Sequence, residues 1–170
     1  MKILLPSVKY KQSYLKAVEE GKDEVGITTL KKPKKDEPFE EFVKSIRSEA
    51  KGLNLPEGWV PATELWLIDN EELIGRVNIR HELTDHLLKV GGHIGYWIRP
   101  SKRKMGYGKE ILKLALLEAK KLGISRILVT CDDTNIGSCK IIEANGGILE
   151  NIVDNGQNHP RKKRYWITLK

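Results

Sequence analysis

The glycine pair in residues 103–108 (RKMGYG) is the part of this sequence whose residue types and spacing best fit a chemical task. Gly106 and Gly108 stand where a strand and loop give way to a patterned helix. Such a junction leaves backbone N–H groups without intrahelical partners, and the helix dipole adds partial positive charge. Glycine also lets the backbone approach an oxygen closely and adopt positive φ. The pattern therefore predicts a pyrophosphate site at the start of a helix.

Basic residues around this turn strengthen the prediction. A P-loop would need four residues between its first glycine and the Gly-Lys pair, and a dinucleotide fingerprint would need a third glycine where Ile111 stands. A tight turn that binds nothing is the alternative for a glycine pair considered alone. We nevertheless expect the local field to favour an anion, because five basic residues near the turn have no acidic residue between them: Arg99, Lys102, Arg103, Lys104 and Lys109.

The elements that must position this turn follow an α+β pattern. We predict a mixed, mostly antiparallel central sheet of about six to seven strands, with helices on both faces, in one domain over residues 1–170. Strand 93–99, helix 107–122 and strand 126–131 form a central βαβ unit, whose right-handed crossover should place the two strands side by side and parallel. The other predicted strands are 2–5, 62–69, 72–83, 147–153 and 163–169, and the other helices are 8–20, 37–50 with an Asp36 N-cap, and 135–144 with an Asn135 N-cap.

Composition restricts the class of protein. The chain has 170 residues, of which 39% are hydrophobic and 31% charged, as in globular proteins that dissolve in water. Its N-terminus lacks the apolar stretch of a signal peptide and no apolar run could span a bilayer, so we predict a cytoplasmic protein that does not bind membranes. Cys131 and Cys139 are too few for a disulfide scaffold or a four-ligand zinc site, so we expect free thiols and no metal.

The charge balance leaves a second class open. The formal net charge is +7, and basic residues cluster at 31–35 (KKPKK), 99–104 (RPSKRK) and 160–164 (PRKKR). A nucleic-acid-binding module would use such clusters together with aromatic side chains on a sheet face. The low aromatic content, 6%, and the lack of an RNA-binding motif argue against nucleic acid as the partner.

Two motifs of the sequence resemble the GCN5-related N-acetyltransferase (GNAT) family. The turn R-x-x-G-x-G follows a strand ending in Arg-Pro and precedes an amphipathic helix, and the segment 91–108 (GGHIGYWIRPSKRKMGYG) is similar to an uncharacterised branch of predicted acetyltransferases. Downstream, Asn135, Ser138, Ile141 and Gly146 fit the family pattern N-x-x-[AS]-x-x-[apolar]…G. The order of elements also matches, and the resemblance covers about residues 1–170, most firmly 90–150. It implies a three-layer GNAT-like fold.

The resemblance also implies a function. An enzyme of this family moves an acetyl group from acetyl-coenzyme A (acetyl-CoA) to a primary amine, by direct attack in a ternary complex. The N–H groups of residues 104–109 would hold the pyrophosphate, and strand 93–99 would pair with pantetheine like an added strand, splaying from 126–131, often with a bulge. The cofactor-binding residues implied in this way are Trp97, Ile98, Arg103, Lys104, Met105, Gly106, Tyr107, Gly108, Lys109, Asn135 and Ser138.

The catalytic groups are less well defined. A base must take a proton from the amine, and the candidates are His93, beside the expected thioester, and Glu64 and Glu82 on neighbouring strands. Many family members use a tyrosine as the acid at the position of Ile142, which cannot donate a proton, so the leaving thiolate would be protonated through water. A coenzyme A-binding regulator without catalysis is therefore another alternative.

The acceptor side should come from the first half of the chain. Helices 8–20 and 37–50, with loop 80–92, should border the cleft. The acceptor could be a small molecule or a peptide amine, because the sequence does not choose between them. A homodimer is compatible with a fold of this size, but no apolar stripe is available to assign it to.

Overall fold

The computed structural model describes residues 1–24, 29–53 and 55–169. Within these residues the order of elements is the predicted one, β-α-α-β-β-β-α-β-α-β-β. The strands are β1 (Lys2–Leu4), β2 (Ala62–Asp69), β3 (Glu72–Arg80), β4 (Ile94–Ile98), β5 (Arg126–Asp132), β6 (Ile148–Val153) and β7 (Lys162–Thr168), and the helices are α1 (Lys11–Glu20), α2 (Phe39–Ser48), α3 (Tyr107–Lys121) and α4 (Ile136–Glu143).

The strands form two antiparallel sheets. The first has the order β1-β2-β3-β4, and the second has the order β5-β7-β6, with β7 in the middle. In the first sheet Asn78 of β3 lies between Glu64 of β2 and Gly95 of β4. The predicted α+β class with helices on both faces is confirmed, but the central sheet is divided where we expected it to be continuous.

The division falls between β4 and β5, and it begins at His93. The backbone N–H of His93 donates to the Leu128 carbonyl (2.7 Å), and the Leu128 N–H donates to His93 Nδ1 (2.9 Å). The imidazole takes an acceptor position that a backbone carbonyl would fill in a ladder, and no further backbone bond joins the two strands in the described chain. The predicted splay is therefore present, whereas a parallel ladder is not. The β3–β4 register runs without a shift from Ile94 to Ile98, so the expected bulge is not in that ladder.

The first sheet has a different core on each face. Alternation along β2 directs Leu65 and Leu67 toward an aliphatic core with α3 and α4, and Trp66 and Ile68 toward an aromatic core with α1 and α2. In the aromatic core the Tyr14 ring stacks on Trp66, with ring centroids 4.6 Å apart. The apolar residues of α2 that recur at helical spacing are all buried: Phe39, Phe42, Val43 and Ile46. The two cores hold β3 and β4 between two layers of helices.

Some predicted boundaries were wrong. Helix α2 begins at Phe39 with Pro38 before it, and Asp36 lies outside the helix at φ 63°, so it is not the N-cap. Strand β3 ends at Arg80 rather than at residue 83. Residues 87–91 form a wide helical turn, closed by a bond from the Gly92 N–H to the Leu87 carbonyl (2.6 Å), within the segment 80–92 that we expected to be a loop. No helix among the described residues is long and apolar enough to cross a membrane.

Candidate active site

A row of free backbone N–H groups lies at the start of α3. The N–H groups of residues 104–108 donate to no acceptor within the described residues, whereas Lys109 and Glu110 donate to the Gly106 carbonyl (3.1 and 3.3 Å). No side chain of the described residues caps the helix. Five successive donors with the positive end of a helix dipole behind them suit an anion with several oxygens. The turn therefore fits the pyrophosphate of acetyl-CoA.

The two glycines of this turn are needed for different reasons. Gly106 has φ 86° and precedes α3, and a Cβ there would meet nothing within 4 Å. It therefore supplies a left-handed turn with open space in front of it. A Cβ on Gly108 would lie 2.5 Å from Cδ1 of Ile141, so this glycine allows α3 to approach α4 closely. Met105, between Lys104 and Gly106, is exposed.

The basic residues near the turn are more fully paired than the sequence suggested. Arg99 contacts Glu20 and Glu72, Lys102 contacts Glu72 (2.6 Å), and Arg103 contacts Glu24 (2.6 Å). The expectation of a field without acids was wrong, because these carboxylates come from the end of α1, the segment after it and the start of β3, far away in sequence. The hydrogen bond from the Arg99 guanidinium lowers the pKa of the Glu20 carboxyl group to about 2.

Lys104 and Lys109 are the basic residues of the turn that stay available. Both are exposed, and neither has a carboxylate partner among the described residues. The Tyr107 hydroxyl donates to Asp69 (2.9 Å), so this residue can offer a ligand its backbone N–H but not its hydroxyl. The positive charge at the turn therefore comes from two lysines and the helix terminus.

The edge of β4 faces the gap between the two sheets. His93 and Arg99, at the two ends of the strand, make backbone hydrogen bonds to β3. In an antiparallel pair every second residue is hydrogen-bonded to the neighbouring strand. Trp97 is an even number of positions from both His93 and Arg99, so it also directs its N–H and carbonyl at β3. Tyr96 and Ile98 therefore direct theirs into the gap. The gap has a free strand edge of the kind that an extended amide chain can pair with.

Trp97 lies on the other side of β4. Its side chain packs in the aromatic core, and its Nε1 donates to Glu24 (2.6 Å). Neither its backbone nor its side chain thus faces the gap. Ile98 is predicted at the same strand edge, and its carbonyl accepts a bond from Arg103 Nε (3.0 Å), which leaves its N–H directed into the gap.

Helix α4 borders the gap opposite β4. Asn135 caps this helix, and its Oδ1 accepts a bond from the Ser138 N–H (3.0 Å), while its exposed amide NH₂ has no partner in the described chain. The Ser138 hydroxyl is 2.8 Å from the Tyr96 hydroxyl, which reaches across from β4. Burial raises the pKa of Tyr96, so the phenol stays protonated. Ile142, at the position of the family's tyrosine, is fully buried in the aliphatic core.

His93 bridges two strands. Its Nδ1 accepts the Leu128 N–H, so the neutral ring carries its proton on Nε2. Burial, and secondarily the charge of Arg80, lower the pKa of His93. To act as a base through Nδ1, the ring would have to give up the bond to β5.

The two candidate glutamates differ in their surroundings. Glu64 is buried, with one oxygen 2.7 Å from Arg76 NH2 and the other accepting from Trp66 Nε1 (3.1 Å). Glu82 is exposed beyond the end of β3. The structure therefore does not bring the three candidate bases together at one point.

A cavity of about 360 Å³ opens on the α2 side of the first sheet. Arg76, Asn78 and Arg80 of β3 and Gly95 of β4 line it. The segments 57–60 and 84–87 also contribute to its wall, including an exposed His86. Sequence reasoning missed this group, although polar residues at every second position of a strand buried on both faces are a recognisable signal. The cavity and the gap lie on opposite sides of β4.

Cys131 and Cys139 are buried free thiols, as predicted, with their sulfur atoms 3.6 Å apart. Among the described residues no group of three or more His, Cys, Asp or Glu side chains is placed to hold a metal ion.

Comparison with known proteins decides the family. A family model described as "Acetyltransferase (GNAT) domain" matches residues 21–148, which is most of the chain. The chain belongs to the GNAT acetyltransferase family. It is accordingly an acyltransferase with acetyl-CoA as cosubstrate, and the predictions of family, enzyme class and cosubstrate are confirmed. No curated protein sequence matches the chain.

Solved GNAT structures share the fold. An acetyltransferase from Salmonella typhimurium that modifies the N-terminal serine of ribosomal protein L7/L12 has 15% identity and a TM-score of 0.67, covering 99% of this chain and 94% of that one. A spermidine N-acetyltransferase from Vibrio cholerae has 15% identity and a TM-score of 0.64, covering 99% and 95%. The microcin C7 self-immunity acetyltransferase, crystallised with acetyl-CoA and AMP, has 19% identity and a TM-score of 0.66, covering 98% and 91%. At these identities the likeness concerns the fold.

Proposed function

We propose that this GNAT chain transfers the acetyl group of acetyl-CoA to a primary amine by direct attack within a ternary complex. The arrangement of two binding regions on opposite sides of β4 carries the proposal. The gap between β4 and α4, with the N–H row of α3 at its end, suits a long cofactor with a pyrophosphate. The cavity at Gly95 suits the acceptor. An amine entering from the cavity would meet a thioester lying along β4.

In this proposal the backbone of residues 104–108 holds the pyrophosphate, with Lys104 and Lys109 adding charge. The free edge of Tyr96 and Ile98 pairs with the pantetheine amides, and the Asn135 amide donates to the same arm. Trp97 and Arg103 hold this edge in place through Glu24. When bound, acetyl-CoA supplies an activated acyl group.

We propose Tyr96 as the proton donor that compensates for Ile142. Its hydroxyl is 2.8 Å from that of Ser138, and burial raises its pKa, so the phenol carries its proton before the reaction. We propose that this proton passes to the sulfur as the carbon–sulfur bond breaks and negative charge develops there, and that the phenolate then takes up a proton from water. The family's tyrosine reaches the thiolate from α4, whereas this one would reach it from β4.

The base must act on the acceptor side. We infer that His93 serves as a bridge between strands, since its acceptor nitrogen is occupied by Leu128. Glu64 and Glu82 stay predictions, the first engaged with Arg76 and the second exposed. His86 is a further candidate, because it lines the cavity and imidazole is a common general base.

Calorimetry with acetyl-CoA, coenzyme A and ATP tests the cofactor site. We expect the first two to bind at micromolar concentration and ATP not to bind. Gly106→Glu should abolish binding, because it places a carboxylate before the N–H row. Gly123→Glu is the matched control: Gly123 has φ 80° and open space at the other end of α3, so backbone strain is similar but the pyrophosphate is distant. Equal binding by both variants would refute the assignment.

Initial-rate kinetics test the ternary complex. Varying acetyl-CoA at several amine concentrations should give intersecting reciprocal lines, and parallel lines would indicate an acetylated enzyme instead. Complete absence of turnover with a broad amine panel, despite tight acetyl-CoA binding, would favour the regulator alternative.

The nucleic-acid alternative has little to support it. In the basic cluster 160–164, Lys162 contacts Asp132 (2.5 Å) and Arg164 contacts Glu150 (2.8 Å). In the cluster at 99–104, Arg99, Lys102 and Arg103 are paired with acids in the same way. Charges already neutralised in this manner contribute little to phosphate binding.

A further inference from the structure

The floor of the acceptor cavity carries an arginine that the fold does not neutralise. Arg80 is half-buried, and its NH1 donates to the carbonyls of Gly91 (3.1 Å) and Gly92 (2.8 Å). Within the described chain no carboxylate lies in ion-pair distance of Arg80, and its Nε and NH2 donate to no group. Those two nitrogens form the edge of a guanidinium that matches the two oxygens of a carboxylate.

A second polar side chain is directed into the same cavity. Asn78 is 9% exposed, lines the cavity, and makes no side-chain hydrogen bond to another described residue. The amide is reached by solvent from the cavity, so a ligand there could take the place of water as its hydrogen-bond partner. Since Asn78 and Arg80 alternate on one face of β3, both are presented to the same occupant.

The other charged residues of the cavity do not supply the carboxylate that Arg80 lacks. Lys31 pairs with Glu49 (2.5 Å), and Arg76 pairs with Glu64 (2.7 Å), so each pair is neutral. Glu57 is exposed at the rim, where water screens it. The uncompensated charge that water screens least is therefore that of Arg80, because Coulomb interactions strengthen as the surroundings become less polar.

We propose that the acceptor of this enzyme is a small amine that also carries a carboxylate, which Arg80 binds with the help of Asn78. This inference rests on the proposed function, and it names the substrate class of the same site. The cavity volume of about 360 Å³ lies within the range of small-molecule sites. Leu55, Trp59 and Leu87 supply apolar wall, so the occupant combines an apolar body with the anionic group.

Equilibrium binding tests the proposal without requiring turnover. The probes are the N-acetyl derivatives of leucine and phenylalanine, which correspond to reaction products, and the matching N-acetyl carboxamides. Each is titrated calorimetrically into the full chain, with and without saturating coenzyme A. We expect the acids to bind about tenfold or more tightly than the amides, since a charged hydrogen bond is lost in the amide. Arg80→Gln should bring this ratio close to one, and Arg80→Lys should keep part of it.

Lys16→Gln removes the same charge from an exposed position of α1 and should leave the ratio unchanged. Thermal unfolding of each variant reports whether the fold is intact. A ratio near one in the wild type, a ratio that persists in Arg80→Gln, or failure of every acid to bind would overturn the proposal. Binding of coenzyme A itself, measured first, tests the proposed function separately: Arg80-dependent acid binding without coenzyme A binding would keep the anion site and refute the acetyltransferase role.

Discussion

Replacement of His93 tests whether this residue joins β4 to β5 or acts as the base. In His93→Phe the buried Leu128 N–H loses its acceptor, which should lower the free energy of unfolding by about 1–3 kcal/mol. In His93→Asn the side-chain oxygen stands one bond beyond Cγ, as Nδ1 does, and can accept the same N–H. We therefore expect His93→Asn to lose less than about 1 kcal/mol, the usual net contribution of a hydrogen bond. Urea unfolding with a common m-value measures both changes.

Burial of the same imidazole gives stability a pH dependence of known sign. Burial lowers the pKa of His93 in the folded chain, while in the unfolded chain the pKa is about 6.5. The unfolded state therefore binds more protons once the pH falls below about 6.5, so stability is full above that pH and is lost on acidification toward the folded pKa. The slope is at most about 1.4 kcal/mol per pH unit for one group. His93→Asn should remove this dependence between pH 7 and the folded pKa.

Kinetics separate the two roles. If His93 is a bridge, His93→Asn should keep the acid limb of the profile of kcat/KM against pH. Loss of that limb with unchanged stability would show that His93 is the base. Equal destabilisation by Asn and Phe would show that the hydrogen bond to Leu128 does not hold the strands together.

Three further substitutions have defined outcomes. Tyr96→Phe should lower kcat about 100-fold or more with little change in acetyl-CoA affinity, and a change under threefold would exclude the phenol as the acid. Gly108→Val should destabilise by about 1–3 kcal/mol in thermal unfolding through overpacking against α4, and an unchanged midpoint would contradict the close approach. Glu64→Ala should destabilise by about 3–5 kcal/mol, because Arg76 loses its buried carboxylate; a loss below 1 kcal/mol in urea unfolding would show that the pair contributes little.

Local sequence patterns predicted the types of the elements well because the apolar residues that define each pattern are the ones that the structure buries. Helix α2 shows this: Phe39, Phe42, Val43 and Ile46 recur at helical spacing, and all four are buried. Its start was misplaced because Asp36 has the chemistry of a cap, whereas the observed chain turns there with φ 63°. A turn of this kind depends on tertiary contacts, which the capping preferences of single residues do not describe.

The charges around the cofactor turn show a second limit of sequence reasoning. Local sequence shows Arg99 and Arg103 beside the glycines without an acid nearby. Their partners Glu20 and Glu24 lie about 80 positions earlier, and only the packing of the first helix layer against β4 brings them together. Lysine or arginine near a phosphate motif is therefore weak support for a phosphate contact until its ion pairs are known.

The proposed acceptor site was harder to predict from the sequence than the proposed cofactor site, for a physical reason. A pyrophosphate is bound by backbone N–H groups, so its site requires glycines at fixed spacing, which are visible in one segment. The proposed acceptor site is lined by residues that the sheet brings together from β3, β4 and two loops, so it leaves no local spacing to detect. Its signal in the sequence is a polar residue at every second position of β3, namely Arg76, Asn78 and Arg80, while the other face of the strand is aliphatic. Polar groups at such positions need a partner, and among the described residues the side chain of Asn78 and the Nε and NH2 of Arg80 have none, at the place that we propose for the acceptor.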